Sequence, residues 1–159
     1  MGVLYFARCG GERLGRSPSC GWYLIPTRRS RVFSGTAPGK LIDAAHSKSI
    51  TLCTSAILLA ELRGVLTREK FTQQLATRRL KVIEVFDGYA ALTTVVIPAI
   101  ISPTIINDPA DDAVLACALG AVAGLIVSGD RHLLDLHEHQ GIQIMTAAEA
   151  LQVLLEAGR

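Results

Sequence analysis

The chain has 159 residues, half of them apolar and only 5% aromatic, and a formal charge of +2. That length fits one domain with an aliphatic, alanine-rich core, and so small a charge does not by itself announce nucleic-acid binding. Charges and prolines interrupt every apolar run before it reaches the length of a membrane span, and Met1–Ala7 is too short for the core of a signal peptide.

Residues 1 to 32 carry several glycines and arginines, two cysteines and two prolines, with no sustained period. Trp22–Ile25 is the only strand-like piece, and Pro26 ends it. From Phe33 onward the chain alternates in an orderly way. A helix is predicted over 37–47, with Pro38 in its first turn, then a short strand over 50–53. Thr54-Ser55 caps a helix over 56–66, whose apolar residues recur at three and four. A basic helix follows over 69–80 and an amphipathic one over 82–92. β-branched segments at 95–97 and 104–106 surround Pro98 and Pro103. Then come a helix over 110–123, a strand over 125–127, a short helix around 132–136, a strand over 142–145 and a helix over 146–156. Strands separated by helices imply an α/β fold, a parallel sheet with helices on both faces. Cys9, Cys20, Cys53 and Cys117 show no metal-ligand spacing. Cys53 and Cys117 lie in apolar elements and read as small buried hydrophobes, so a reduced, cytoplasmic setting is expected.

The most informative stretch runs from Asn107 to Leu136. It puts Asp108, Asp111 and Asp112 at the start of a small-residue helix, and it ends an apolar strand on Ser128-Gly129-Asp130. Helix N-termini and the C-terminal ends of parallel strands share one edge of an open α/β sheet, where ligand sites collect. Carboxylates gathered there repel one another unless a hard divalent cation such as Mg²⁺ or Mn²⁺ holds them. The bland alternative is a helix cap, since carboxylates favour the positive end of the helix dipole. Arg63, Arg68, Lys70, Arg78, Arg79 and Lys81 suit RNA phosphates or simply a solvated face. His132, His137 and His139 match no helical zinc spacing and read as a polar surface helix and loop. Arg131-His132, directly after Asp130, falls at the rim of the acidic site.

From Phe33 on, the chain resembles the PIN-domain family, in particular the toxin components of bacterial toxin–antitoxin pairs. Phe33-Ser34-Gly35-Thr36-Ala37-Pro38 is similar to the loop after the family's first strand, and Ala60-Glu61-Leu62 to the motif of its second acid. DPADDAVLACAL is similar to the motif of the third, and Ile126-Val127-Ser128-Gly129-Asp130 to that of the fourth. GIQIMTAAEAL resembles the closing strand and helix. The order and spacing of these motifs are more specific than any one of them. The resemblance implies a three-layer, Rossmann-like PIN domain over 32–159 and a ribonuclease whose acids hold Mg²⁺ or Mn²⁺. Glu61, Asp112 and Asp130 would be the metal ligands, with Asp111 a close competitor of Asp112 and the Ser128 hydroxyl bracing the site. It also implies an RNA substrate, a cognate antitoxin and a tendency to homodimers, with no membrane association.

The family's first acid stands in a Leu-Asp-Thr-Asn motif that this chain lacks. Upstream of Glu61 only Glu12 and Asp43 are acidic, and neither ends a predicted strand. Starting at the last base of the Ser19 codon, permitted codons for Ser19–Thr27 read Met-Arg-Val-Val-Leu-Asp-Thr-Asn in the shifted frame. Residues 1–31 are therefore expected to be wrong-frame translation, non-homologous and poorly packed. The competing functional reading is a PIN fold without catalysis, a binding module or decayed gene product. A phosphatase or receiver domain ranks last, because it needs a nucleophilic Asp at the end of the first strand.

Overall fold

The computed structural model describes residues 36–105 and 109–157. The expectations for residues 1–35, and for Asp108, lie outside these described residues. The described chain starts with helix α1 (Ala37–His46), capped by Thr36, whose hydroxyl accepts from Gly39 N at 3.3 Å. Strand β1 (Leu52–Thr54) leads to α2 (Ala56–Leu66), where Ser55 Oγ accepts from Leu58 N. Helices α3 (Glu69–Thr77) and α4 (Val82–Leu92) follow, then strand β2 (Thr93–Val95). The second half holds α5 (Pro109–Gly120), β3 (Leu125–Val127), α6 (Arg131–Leu134), β4 (Glu138–His139), β5 (Ile142–Met145) and α7 (Ala147–Ala157).

The strands form two groups among the described residues. β1 pairs with β2 in parallel, with Leu52 opposite Thr93, and β3 pairs with β5 in parallel, with Ile126 opposite Ile144. β4 adds antiparallel to the outer edge of β5. Side chains alternate between the faces of a strand, and that alternation unites the two groups. Cys53 of β1 and Ile126 of β3 belong to one apolar cluster, whereas Leu52 and Val127 belong to the other. Both strands are therefore sandwiched by the same two layers. The first layer is α5 with Leu58 of α2 and Leu133 of α6; Val114, Leu115, Cys117 and Ala118 supply the α5 face. The second is α1 packed on α7, with Leu41, Ile42, Ala45 and Ala150. The result is the expected α/β architecture, a parallel sheet between two helical layers.

Several elements differ from the sequence expectation, and three of the differences have a clear local reason. β2 starts at Thr93, directly after α4, because Thr93 pairs with Leu52; Val96 N still donates to Thr54 O at 2.8 Å before Pro98. Thr104 and Ile105 form no strand, since both backbone amides donate to the Asp112 carboxylate, at 3.1 and 3.0 Å. The expected helix over 110–123 stops at Gly120. There Val122 takes a left-handed φ of 50°, and Ala123 N turns back to donate to Ala118 O at 2.9 Å. Gly120 is required on packing grounds: a Cβ there would fall on the Ile97 carbonyl. Cys53 and Cys117 are buried free thiols, as expected.

Candidate functional site

β3 ends at Val127, and the chain turns through Ser128-Gly129-Asp130 into α6. Ser128 is buried, its amide donating to Met145 O at 3.0 Å, which ties the turn to the end of β5. Its hydroxyl accepts from Asp130 N at 2.9 Å. Asp130 in turn caps α6, Oδ1 accepting from His132 N at 2.9 Å. Ser128 thus fixes the backbone of the turn, and the turn aims the Asp130 carboxylate along the C-terminal edge of the sheet.

The first turn of α5 brings the other acids to this edge. Asp111 is 4% exposed, and His132 Nδ1 stands 3.7 Å from Asp111 Oδ2 and 3.7 Å from Asp130 Oδ1. Asp111, Asp130 and His132 each offer a ligand atom within 4.8 Å of the others. The neighbouring Asp112 faces elsewhere, holding the 104–105 loop through Thr104 N and Ile105 N. The sequence left Asp111 and Asp112 as rivals and carried Asp112 as ligand; the geometry puts Asp111 with Asp130. Glu61 is exposed on α2, which packs against α5, and it lies outside the three-residue group.

The donor set fits a divalent cation by its chemistry. Two carboxylates and an imidazole are oxygen and nitrogen donors, and a cation among them offsets the repulsion of the carboxylates. His132 is what the reading of the sequence underrated. The sequence places Arg131-His132 at the rim of the acidic site and reads the histidines at 132, 137 and 139 as surface residues; among the described residues, His132 joins the acids within ligand range. His137 instead lines a groove of about 430 Å³ with Leu134, Thr146, Glu149 and Val153. That groove is lined by neither Asp111 nor Asp130. The available signal was position, His132 lying two residues beyond Asp130 in the first turn of α6.

Below the acids the site rests on apolar packing. Cys117, two turns along α5, has its thiol pushed above the ordinary value by burial, partly offset by a hydrogen bond with Ser55. It stays protonated and acts as part of the core. Arg63, Arg68, Lys70, Arg78, Arg79 and Lys81 are all exposed on α2, α3 and their following turns.

The PIN-domain family model matches residues 25–132, a span holding Glu61, Asp111, Asp112, Ser128, Asp130 and His132. The chain belongs to the PIN-domain family. Its fold is of the nuclease type, with an acidic cluster able to take a metal ion at the expected sheet edge. No curated protein and no solved structure matches it. Among the described residues, no helix is long and apolar enough to cross a membrane.

Proposed function

We propose that this protein is a metal-dependent ribonuclease of the toxin–antitoxin type, cleaving RNA phosphodiesters with Mg²⁺ or Mn²⁺. The observation that carries this reading is the convergence of Asp111 and Asp130 at the C-terminal edge of β3 in a chain of this family. Asp111 and Asp130 hold the cation, and Glu61 is the further acid that the family pattern supplies from α2. Ser128 keeps the Asp130 turn in place, and Asp112 keeps the 104–105 loop against α5. A cation held at this site would supply an activated water and offset charge developing on the phosphate. The exposed basic side chains from Arg63 to Lys81 offer contacts to the RNA backbone. A cognate antitoxin, and a homodimer, complete the proposal.

A second reading has its own support, because the sequence lacks an acid in the place of the family's first. A carboxylate site short of one ligand holds its metal loosely, and errors of placement cost rate heavily. The chain as written is then a feeble nuclease or a PIN fold that only binds. Single-stranded RNA, incubated with Mg²⁺ or Mn²⁺ and with chelator as control, separates the two. A version beginning Met-Arg-Val-Val-Leu-Asp-Thr-Asn and joined at Phe33 is expected to cut much faster than the chain as written. In that version Asp130→Asn should lower cleavage by at least about 10- to 100-fold with circular dichroism unchanged, since it removes a ligand charge at nearly constant volume. Cleavage that survives Asp130→Asn, or that ignores the chelator, defeats the nuclease reading. Equal, robust cleavage by both versions would mean that the missing acid is dispensable.

A further inference from the structure

We infer that His132 is a direct nitrogen ligand of the site's cation, and that it tunes the site toward Mn²⁺ over Mg²⁺. The inference rests on the metal-site reading of Asp111 and Asp130 above, and it deepens it. Two distances carry it. Nδ1 of His132 stands 3.7 Å from Asp111 Oδ2 and 3.7 Å from Asp130 Oδ1. Both exceed hydrogen-bond length, about 3.2 Å at most. Both also lie within the roughly 4.2 Å that can separate two donors on one ion, twice a bond of about 2.1 Å. The imidazole lies within ion-pairing range of both carboxylates, and the same distances let the three groups share a cation in place of a proton.

The local backbone makes that placement specific. Asp130 caps α6 and accepts the amide of His132, so the imidazole and the carboxylate leave the same short turn. Ser128 anchors the turn to β5 through Met145, and the buried Leu133 seats α6 in the core. The imidazole, 58% exposed, stands outside the apolar packing beside the Asp130 carboxylate. The consequence is selectivity. Mg²⁺ strongly prefers oxygen donors and gives up its waters reluctantly, whereas imidazole suits the later first-row ions, and Mn²⁺ tolerates both.

The test titrates the full chain with MnCl₂ and with MgCl₂, and reads bound Mn²⁺ by pulsed electron paramagnetic resonance. The expected result is a ¹⁴N hyperfine coupling in the wild type that disappears in His132→Ala. In that variant the Mn²⁺ dissociation constant should rise by at least about tenfold while that of Mg²⁺ changes by less than about twofold. His132→Asp, which exchanges nitrogen for oxygen, should also lose the coupling and narrow the preference for Mn²⁺. Because the imidazole is exposed and the capping amide belongs to the backbone, both variants are expected to keep the wild-type circular dichroism. Mn²⁺ bound without nitrogen coupling, or unaffected by His132→Ala, overturns the role of His132 and leaves the carboxylate site standing. Absence of Mn²⁺ and Mg²⁺ binding in the wild type, or binding that survives Asp111→Asn with Asp130→Asn, overturns the site itself and this inference with it.

Discussion

At the scale of single residues, the helix repeat sends the two adjoining carboxylates of α5 to different places. Consecutive residues of an α-helix point roughly 100° apart, so Asp111 and Asp112 cannot both face Asp130. Asp111 takes the buried position, and Asp112 accepts from the amides of Thr104 and Ile105. Glu149 shows the same economy in α7. Its carboxylate accepts from the Thr146 amide at 2.8 Å and the Thr146 hydroxyl at 2.7 Å, while its own amide donates to that hydroxyl, a reciprocal cap. The backbone bond first, and the hydroxyl bond next, hold its carboxyl below the ordinary value of 4.5, with His137 adding attraction. A folded value below the unfolded one stabilises the protein above the unfolded pKa, and that contribution is lost as pH falls through the folded pKa. In Thr146→Ala, a carboxyl NMR titration should show Glu149 moved up toward 4.5 but still below it, because the backbone bond remains. A titration identical to wild type would show that the hydroxyl contributes nothing.

At the scale of elements, three helices end in the same way without the residue that usually signals it. After α1, α3 and α5, the positions with left-handed φ are Lys48, Arg79 and Val122. The amides of Ser49, Leu80 and Ala123 turn back to Ala44, Leu75 and Ala118. This is the Schellman arrangement, in which glycine normally takes the left-handed place. The expected ends at 47, 80 and 123 therefore overran the observed ones, most of all in α3 and α5. Val122 is the costliest of the three, being β-branched and 82% exposed, with little packing in return. Val122→Gly is expected to raise stability by about 1 kcal/mol, since a left-handed L-residue costs about 1–2 kcal/mol and glycine gives back part in chain entropy. Urea unfolding measures the change, and a loss of stability would mean that the Val122 side chain is held by contacts stronger than its strain.

At the scale of the whole molecule, the acids depend on the core beneath them. Leu115 is fully buried one turn along α5 from Asp111, in the cluster that joins α5 to β1, β3 and β5. Leu115→Ala should cost about 2–5 kcal/mol, the lost transfer energy plus the cavity left behind. Urea unfolding should place its midpoint well below that of the wild type. A cost under about 1 kcal/mol would show that the helix collapses onto the sheet and closes the gap.

Much of this was legible before any coordinates. Periodicity alone located α2, α4, β3 and β5 at the bounds observed, because apolar spacing and caps such as Ser55 act within a few residues. The motif order assigned the family, and the strand end at Ser128-Gly129-Asp130 marked the edge where acids would gather. β4 carried no signal, since two exposed or half-buried residues show no alternation. Helical phase separates Asp111 from Asp112, but which of them turns inward depends on the 104–105 loop that claims Asp112, eight residues away in sequence. The approach of His132 to Asp111 joins residues on two helices, and that distance exists only once α5 and α6 pack on the same face of the sheet. Local forces write the elements into the sequence one turn at a time, whereas the composition of the site follows from long-range packing that no short window of residues contains.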